Sequence, residues 1–188
     1  MKRIFLILFL HFSITQSFAQ SFEDTLEIRK QLAVIFERDQ QPRKSRSNVQ
    51  QMVTADSINL IEVEELIGKY GWPGKSFVGA KGNNTVWLVI QHAELPVQLK
   101  YLPFMEQSVG NGESSAADLA LLQDRILMRQ GKKQRYGSQI SLNSKSGIPE
   151  IWPIEDEKNV NQRRATIGLE PLEDYAKRFG LNYFIPGQ

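Results

Sequence analysis

The chain has 188 residues, no cysteine and a formal charge of +2 at pH 7. Without cysteine it can form no disulfide and carry no lipid on an N-terminal thiol. Lys2 and Arg3 account for the whole charge excess, so the remainder balances 21 basic against 21 acidic side chains and lacks the basic footprint of a nucleic-acid binder.

Met1-Lys2-Arg3 is basic, Ile4 to Phe12 is apolar, and Ser17-Phe18-Ala19-Gln20 places small residues before Gln20. This is the pattern of a cleavable secretory signal with the cut after Ala19. The apolar run falls short of the roughly 20 residues that a bilayer span needs. The expectation is therefore a signal peptide over 1–19 and an exported protein, periplasmic or secreted, with no membrane span after cleavage. Residues 20–188 are then expected to fold as a single domain with a real core.

Periodicity predicts a first helix from Phe22 to Arg38, capped by Ser21 with Asp24 and burying Ile28, Leu32, Ile35 and Phe36. Residues 39–47 are polar, contain Pro42 and read as a loop or frayed end. A second helix is expected from Asp56 to Gly71, stopped by Gly71-Trp72-Pro73-Gly74. Lys81-Gly82-Asn83-Asn84 reads as a turn before a third helix through His92. A fourth runs from Pro96 to Val109, and a fifth, capped by Ser115 with Asp118, ends at Gly131. Periodicity then fades, and the stretch of about 132–154 reads as a long ordered segment with a short strand pair, anchored by Trp152. Two short helices, Glu157 to Ile167 and Pro171 to Phe179, close the chain. The expected class is mainly α: one compact multi-helix domain with a long ordered loop.

Three stretches put polar groups where apolar ones are expected. In Gln91-His92-Ala93-Glu94, His92 neighbours Leu88 and Leu95, while Gln91, Glu94 and Gln98 form a ridge beside it. Asp124 and Arg125 interrupt an otherwise apolar helix and point about 100° apart, so they need different partners: His92 for one and a C-terminal carboxylate for the other. Gln134-Arg135-Tyr136-Gly137-Ser138-Gln139 is a loop rich in hydrogen-bonding side chains. Ser138 would be a nucleophile only with a base beside it, and no Gly-x-Ser-x-Gly elbow surrounds it. Gly74-Lys75-Ser76 resembles the end of a phosphate loop, but Lys69 stands where that motif needs glycine. His92 is the one histidine after the signal, and no loop has calcium-binding spacing, so neither a metal nor a cofactor is expected.

Taken in order, Trp72-Pro73-Gly74, Gln91-His92-Ala93-Glu94, Gly112-Glu113, Asp124-Arg125, Gln134-x-Tyr136-Gly137-Ser138-Gln139, Pro153-Ile154-Glu155-Asp156, and Arg163-Arg164 with Gly168-Leu169 resemble a bacterial domain family of unknown function. That family's pattern is WPG, QHAD, GE, DR, QxYGTQ, PIED, then RR and GL. Asp39-Gln40 with Arg43, and Asp56 with Asn59, resemble its early positions. Glu94 stands where Asp is usual and Ser138 where Thr is usual. The resemblance groups these polar residues without assigning them an activity.

The leading expectation is a pocket enzyme of hydrolase or lyase type. His92 is its general acid or base, because imidazole takes and gives protons near neutral pH, and Asp124 orients it. Gln91, Glu94, Glu113, Arg125, Gln134, Tyr136 and Gln139 bind a polar or anionic small molecule. The alternatives are a non-catalytic binding module of the envelope and a purely structural polar network.

Overall fold

Apolar stripes at helical spacing must be covered by other helices, and that demand builds most of this fold. The computed structural model describes residues 3–45, 49–143 and 146–186, without the side chains of 3–22 and of Ser45. Over them run α1 (Arg3–Ser45), α2 (Val49–Tyr70), α3 (Lys75–His92), α4 (Leu95–Gly110), α5 (Ala116–Arg129), β1 (Ile140–Leu142), β2 (Pro149–Ile151), α6 (Val160–Thr166) and α7 (Leu172–Lys177). A 3-10 turn, Glu157–Asn159, leads into α6. The protein is mainly helical with a two-stranded antiparallel sheet, as its sequence implies. Among the described residues no helix is long and apolar enough to cross a membrane. The cleavage site expected after Ala19 lies among residues whose side chains are not described.

One core cluster holds Ile28, Leu32 and Ile35 of α1, Val63, Leu66 and Ile67 of α2, and Val86, Val89 and Ile90 of α3. Tyr101 and Met105 of α4 and Leu122 and Ile126 of α5 complete it. The principal contacts are α1 on α3, α1 on α2, and α4 on α5. Gly82 leaves room for α1 against α3: a Cβ there would lie 3.2 Å from Leu32 Cδ1 and 3.0 Å from Val78 Cβ on its own helix.

A second cluster gathers Ile154, Val160, Leu172 and Ile185, with Tyr175 and Tyr183 against it. The strands of the intervening segment pair Ile140 with Ile151 and Leu142 with Pro149. Trp152 donates from Nε1 to the Lys132 carbonyl at 2.7 Å and ties the two ends of the segment together.

Four boundaries differ from the sequence expectation. α1 has no start at Phe22, because the helix already runs from Arg3. It also continues through the polar stretch after Arg38 to Ser45, and α2 begins at Val49 rather than Asp56. The reason is tertiary: the polar groups of this stretch find partners on α2 and α3, so polarity there does not mean solvent. In α3 the break falls at Gly79, whose φ is 78°, and Lys81-Asn84 is helical.

Leu32 is fully buried where α1, α2 and α3 meet. Leu32→Ala is expected to cost about 2–5 kcal/mol, since the cavity adds to the lost transfer energy. Urea unfolding measures this, and a loss under about 1 kcal/mol would show that the helices close the gap.

Candidate functional site

Asp124, fully buried on α5, is ringed by hydrogen-bond donors from the loop that follows. Its Oδ1 accepts from the Arg135 N–H at 2.7 Å and the Tyr136 N–H at 3.1 Å. Its Oδ2 accepts from the Ser138 N–H at 3.0 Å and the Ser138 hydroxyl at 2.9 Å. Burial raises its pKa above the ordinary carboxylate range, against the pull of these donors. With both oxygens engaged by one loop, Asp124 does not meet His92, the partner expected for it. Ser138 is likewise buried, with its hydroxyl committed to Asp124 and accepting from Gln139 Nε2.

The loop's other polar side chains mostly serve the loop itself. Gln134, fully buried, donates to the carbonyls of Gln139 and Trp152 and accepts from the Gln139 N–H. Tyr136 gives its carbonyl to Arg164 Nη1 at 2.6 Å. Tyr175 donates its hydroxyl to the Ser138 carbonyl at 2.8 Å. Glu113 lies elsewhere. Its carboxylate accepts from the Ser76 N–H at 2.8 Å at the start of α3, and that bond holds its pKa below the usual range. Gly74 is required at this junction, because a Cβ there would sit 2.5 Å from Glu113 Oε2 and 2.9 Å from Glu113 Cβ. Trp72 Nε1 and Asn83 Nδ2 both donate to Ser114 Oγ in the same corner. Glu94 is exposed at the N-terminal cap of α4 and makes no side-chain capping bond.

His92, at the C-terminal end of α3, finds its carboxylate on α1. Its Nδ1 lies 2.9 Å from Asp39 Oδ1, and Asp39 is 1% exposed. Gln40 Nε2 donates to Asp39 Oδ2 at 2.7 Å. Arg43, one turn along α1, sits 3.3 Å from Asp39 Oδ1 and donates to both oxygens of Asp56 at 2.7 and 2.9 Å. Burial pushes the Asp39 pKa up, but the His92 bond and charge, the Arg43 charge and the Gln40 bond outweigh it, leaving it below its ordinary value. An ionised Asp39 makes Nδ1 of His92 the donor. In the neutral ring Nε2 then carries the free lone pair, and it has no partner among the described residues. The His92 side chain is 19% exposed, so this nitrogen is within reach of solvent or a small molecule.

α5 supplies the neighbours. Arg129 donates from Nη1 to the Ala93 carbonyl, immediately after His92. Arg125, one turn earlier on α5, donates from Nε to Gln139 Oε1 at 3.1 Å. Gln91 and Gln139 both direct Nε2 at the Leu121 carbonyl at 3.4 Å, which brings the loop beside the end of α3. Of the expected site residues, His92, Gln91, Arg125 and Gln139 thus come together. Glu113 and Glu94 stand apart, and Asp124, Gln134 and the Tyr136 backbone build the loop. Asp39, Arg43, Asp56 and Arg129 complete the centre without having been assigned roles from sequence. The resemblance at Asp39-Gln40, Arg43 and Asp56 was the signal for three of them.

Asp39, Asp56 and His92 offer ligand atoms that all lie within 4.8 Å of one another, the geometry of a small metal site. Arg43 already bonds both carboxylates there and supplies the positive charge. A divalent ion would have to displace the guanidinium and share its field, so the donor set suits arginine better than a metal.

Two measurements test this division of labour. Asp124→Ala strands four donors in the interior and is expected to cost about 3–5 kcal/mol in urea unfolding. A loss near zero would mean the loop holds without its anchor. Because the folded pKa of Asp39 is depressed, its contribution is complete above the ordinary carboxylate value and disappears as pH falls through the folded value. The stability advantage of the parent over Asp39→Asn should therefore shrink as pH falls below about 4. An advantage that kept growing below about pH 4 would contradict the ionised Asp39–His92 pair.

No curated protein and no solved structure matches the chain. A family model, described as a family of unknown function (DUF6624), matches residues 14–185. The chain therefore belongs to the DUF6624 family of unknown function.

Proposed function

We propose that this is an exported enzyme of hydrolase or lyase type, in which His92 is the general acid or base and Asp39 orients it. The observation that carries the reading is the pairing of a buried carboxylate with one ring nitrogen while the other stays reachable. That arrangement selects a tautomer, holds the ring in place and stabilises the imidazolium when a proton arrives. Arg43 and Gln40 hold Asp39 in turn, so the dyad has a rigid backing from α1 and α2. The basic start and short apolar run of the first nineteen residues support export.

A second reading is favoured by one contact. Arg43 spans Asp39 on α1 and Asp56 on α2, so the cluster also works as a clamp between helices. One pair of measurements separates the readings. Folded His92→Gln should retain stability within about 1 kcal/mol of the parent, as a part-exposed side chain allows. Turnover of a substrate found by screening small polar esters, amides and hydroxy acids should fall by about 100-fold or more. Unchanged turnover, or a stability loss of about 3–5 kcal/mol without any turnover to lose, would favour the clamp.

A further inference from the structure

Arg125 and Arg129 lie at i and i+4 on α5, the spacing at which like charges repel. Arg125 is half-buried, and among the described residues neither arginine has a carboxylate within salt-bridge distance. The two carboxylates beside His92, Asp39 and Asp56, are already taken by His92 and Arg43. Arg125 spends Nε on Gln139, and its two terminal nitrogens have no partner among the described residues. Arg129 spends Nη1 on the Ala93 carbonyl beside His92. Burial, followed by the charges of Arg129 and Arg43, pulls the Arg125 pKa below its ordinary value. Two part-buried cations one helical turn apart, without a carboxylate to pair with, repel each other and leave N–H groups open to an anion. A planar guanidinium anchored through Nε presents its outer pair of N–H groups as a fork for two oxygens.

We propose that Arg125 and Arg129 form a binding site for an anionic oxygen group, a carboxylate or a phosphate, carried by the small molecule on which His92 acts. The proposal rests on the acid–base reading of His92 for the word substrate, but anion binding itself does not require turnover. Gln139 fixes Arg125, and the Arg129–Ala93 bond fixes the second cation against the end of α3. The anion therefore docks beside the helix end that carries His92. Gln134 and the Tyr136 backbone belong to the loop that positions Gln139, not to the ligand contacts.

The test is titration of the protein with inorganic phosphate and, separately, with acetate, at low chloride, followed by calorimetry. The expected result is saturable binding of one of the two, and the one that binds names the source of the anionic group. Arg125→Met and Arg129→Met should each weaken it by about tenfold or more. Arg125→Lys keeps the charge but loses the fork, and should weaken it as well. It stands in if the methionine variant does not fold by circular dichroism. His92→Gln should bind the anion within about threefold of the parent, as a group outside the arginine fork would. No saturation with either anion, or parent-like binding by folded arginine variants, overturns the site. Anion binding that survives while turnover is indifferent to His92→Gln leaves the arginine site standing and removes the acid–base reading instead.

Discussion

A carboxylate taken out of water must be given hydrogen-bond donors, and at Asp124 one loop gives all of them. Much of the C-terminal third follows from that requirement. Bending around Asp124 puts the Tyr136 carbonyl where Arg164 can reach it and the Ser138 carbonyl where Tyr175 can reach it. Those bonds bring α6 and α7 against the segment and close the second apolar cluster around Leu172 and Val160. Gly137 lies inside the same bend with φ of 72°, and a Cβ there would press on Leu172 at 2.8 Å. The loop also carries Gln139 to Arg125, so the anchor at Asp124 sets the geometry of the neighbouring cation.

A second buried carboxylate, Asp39, solves the same problem differently. Its donors are side chains, from His92, Gln40 and Arg43, and they arrive from two helices. Backbone donors, as at Asp124, are rigid and leave little to titrate or move. Side-chain donors keep a ring nitrogen and guanidinium groups that can still meet a ligand. The contrast assigns Asp124 to architecture and Asp39 to the centre where chemistry is available, although both are buried aspartates on helices.

Charge balance points the same way. Asp39 and Asp56 face Arg43, Arg125 and Arg129 around His92, so the centre carries more positive than negative groups among its described residues. Elsewhere the ion pairs lie at the surface, as Lys100 with Glu64 and Lys177 with Asp174. Arg164, the most buried cation, is met by the carbonyls of Glu170 and Tyr136, whereas the part-buried arginines of the centre lie beside the reachable nitrogen of the one histidine beyond residue 19.

What the amino-acid order determined by itself is the helical class, the strand pair within 132–154, the Ser115 cap of α5 and the identity of the unusual polar positions. These are local matters: periodicity, capping and turn chemistry act over a few residues. The tertiary structure alone decided which polar groups meet. Asp39 lies 53 positions from His92, and its neighbours are as polar as a solvent-exposed loop. Only helix packing turns that stretch inward and continues α1 through it. Asp124, by contrast, interrupts an apolar helix and was expected to meet His92, yet the loop that follows α5 reaches it first. Helical period gives the face on which a side chain lies, but the partner depends on crossing helices and loop paths, and the periodicity of one segment does not encode them.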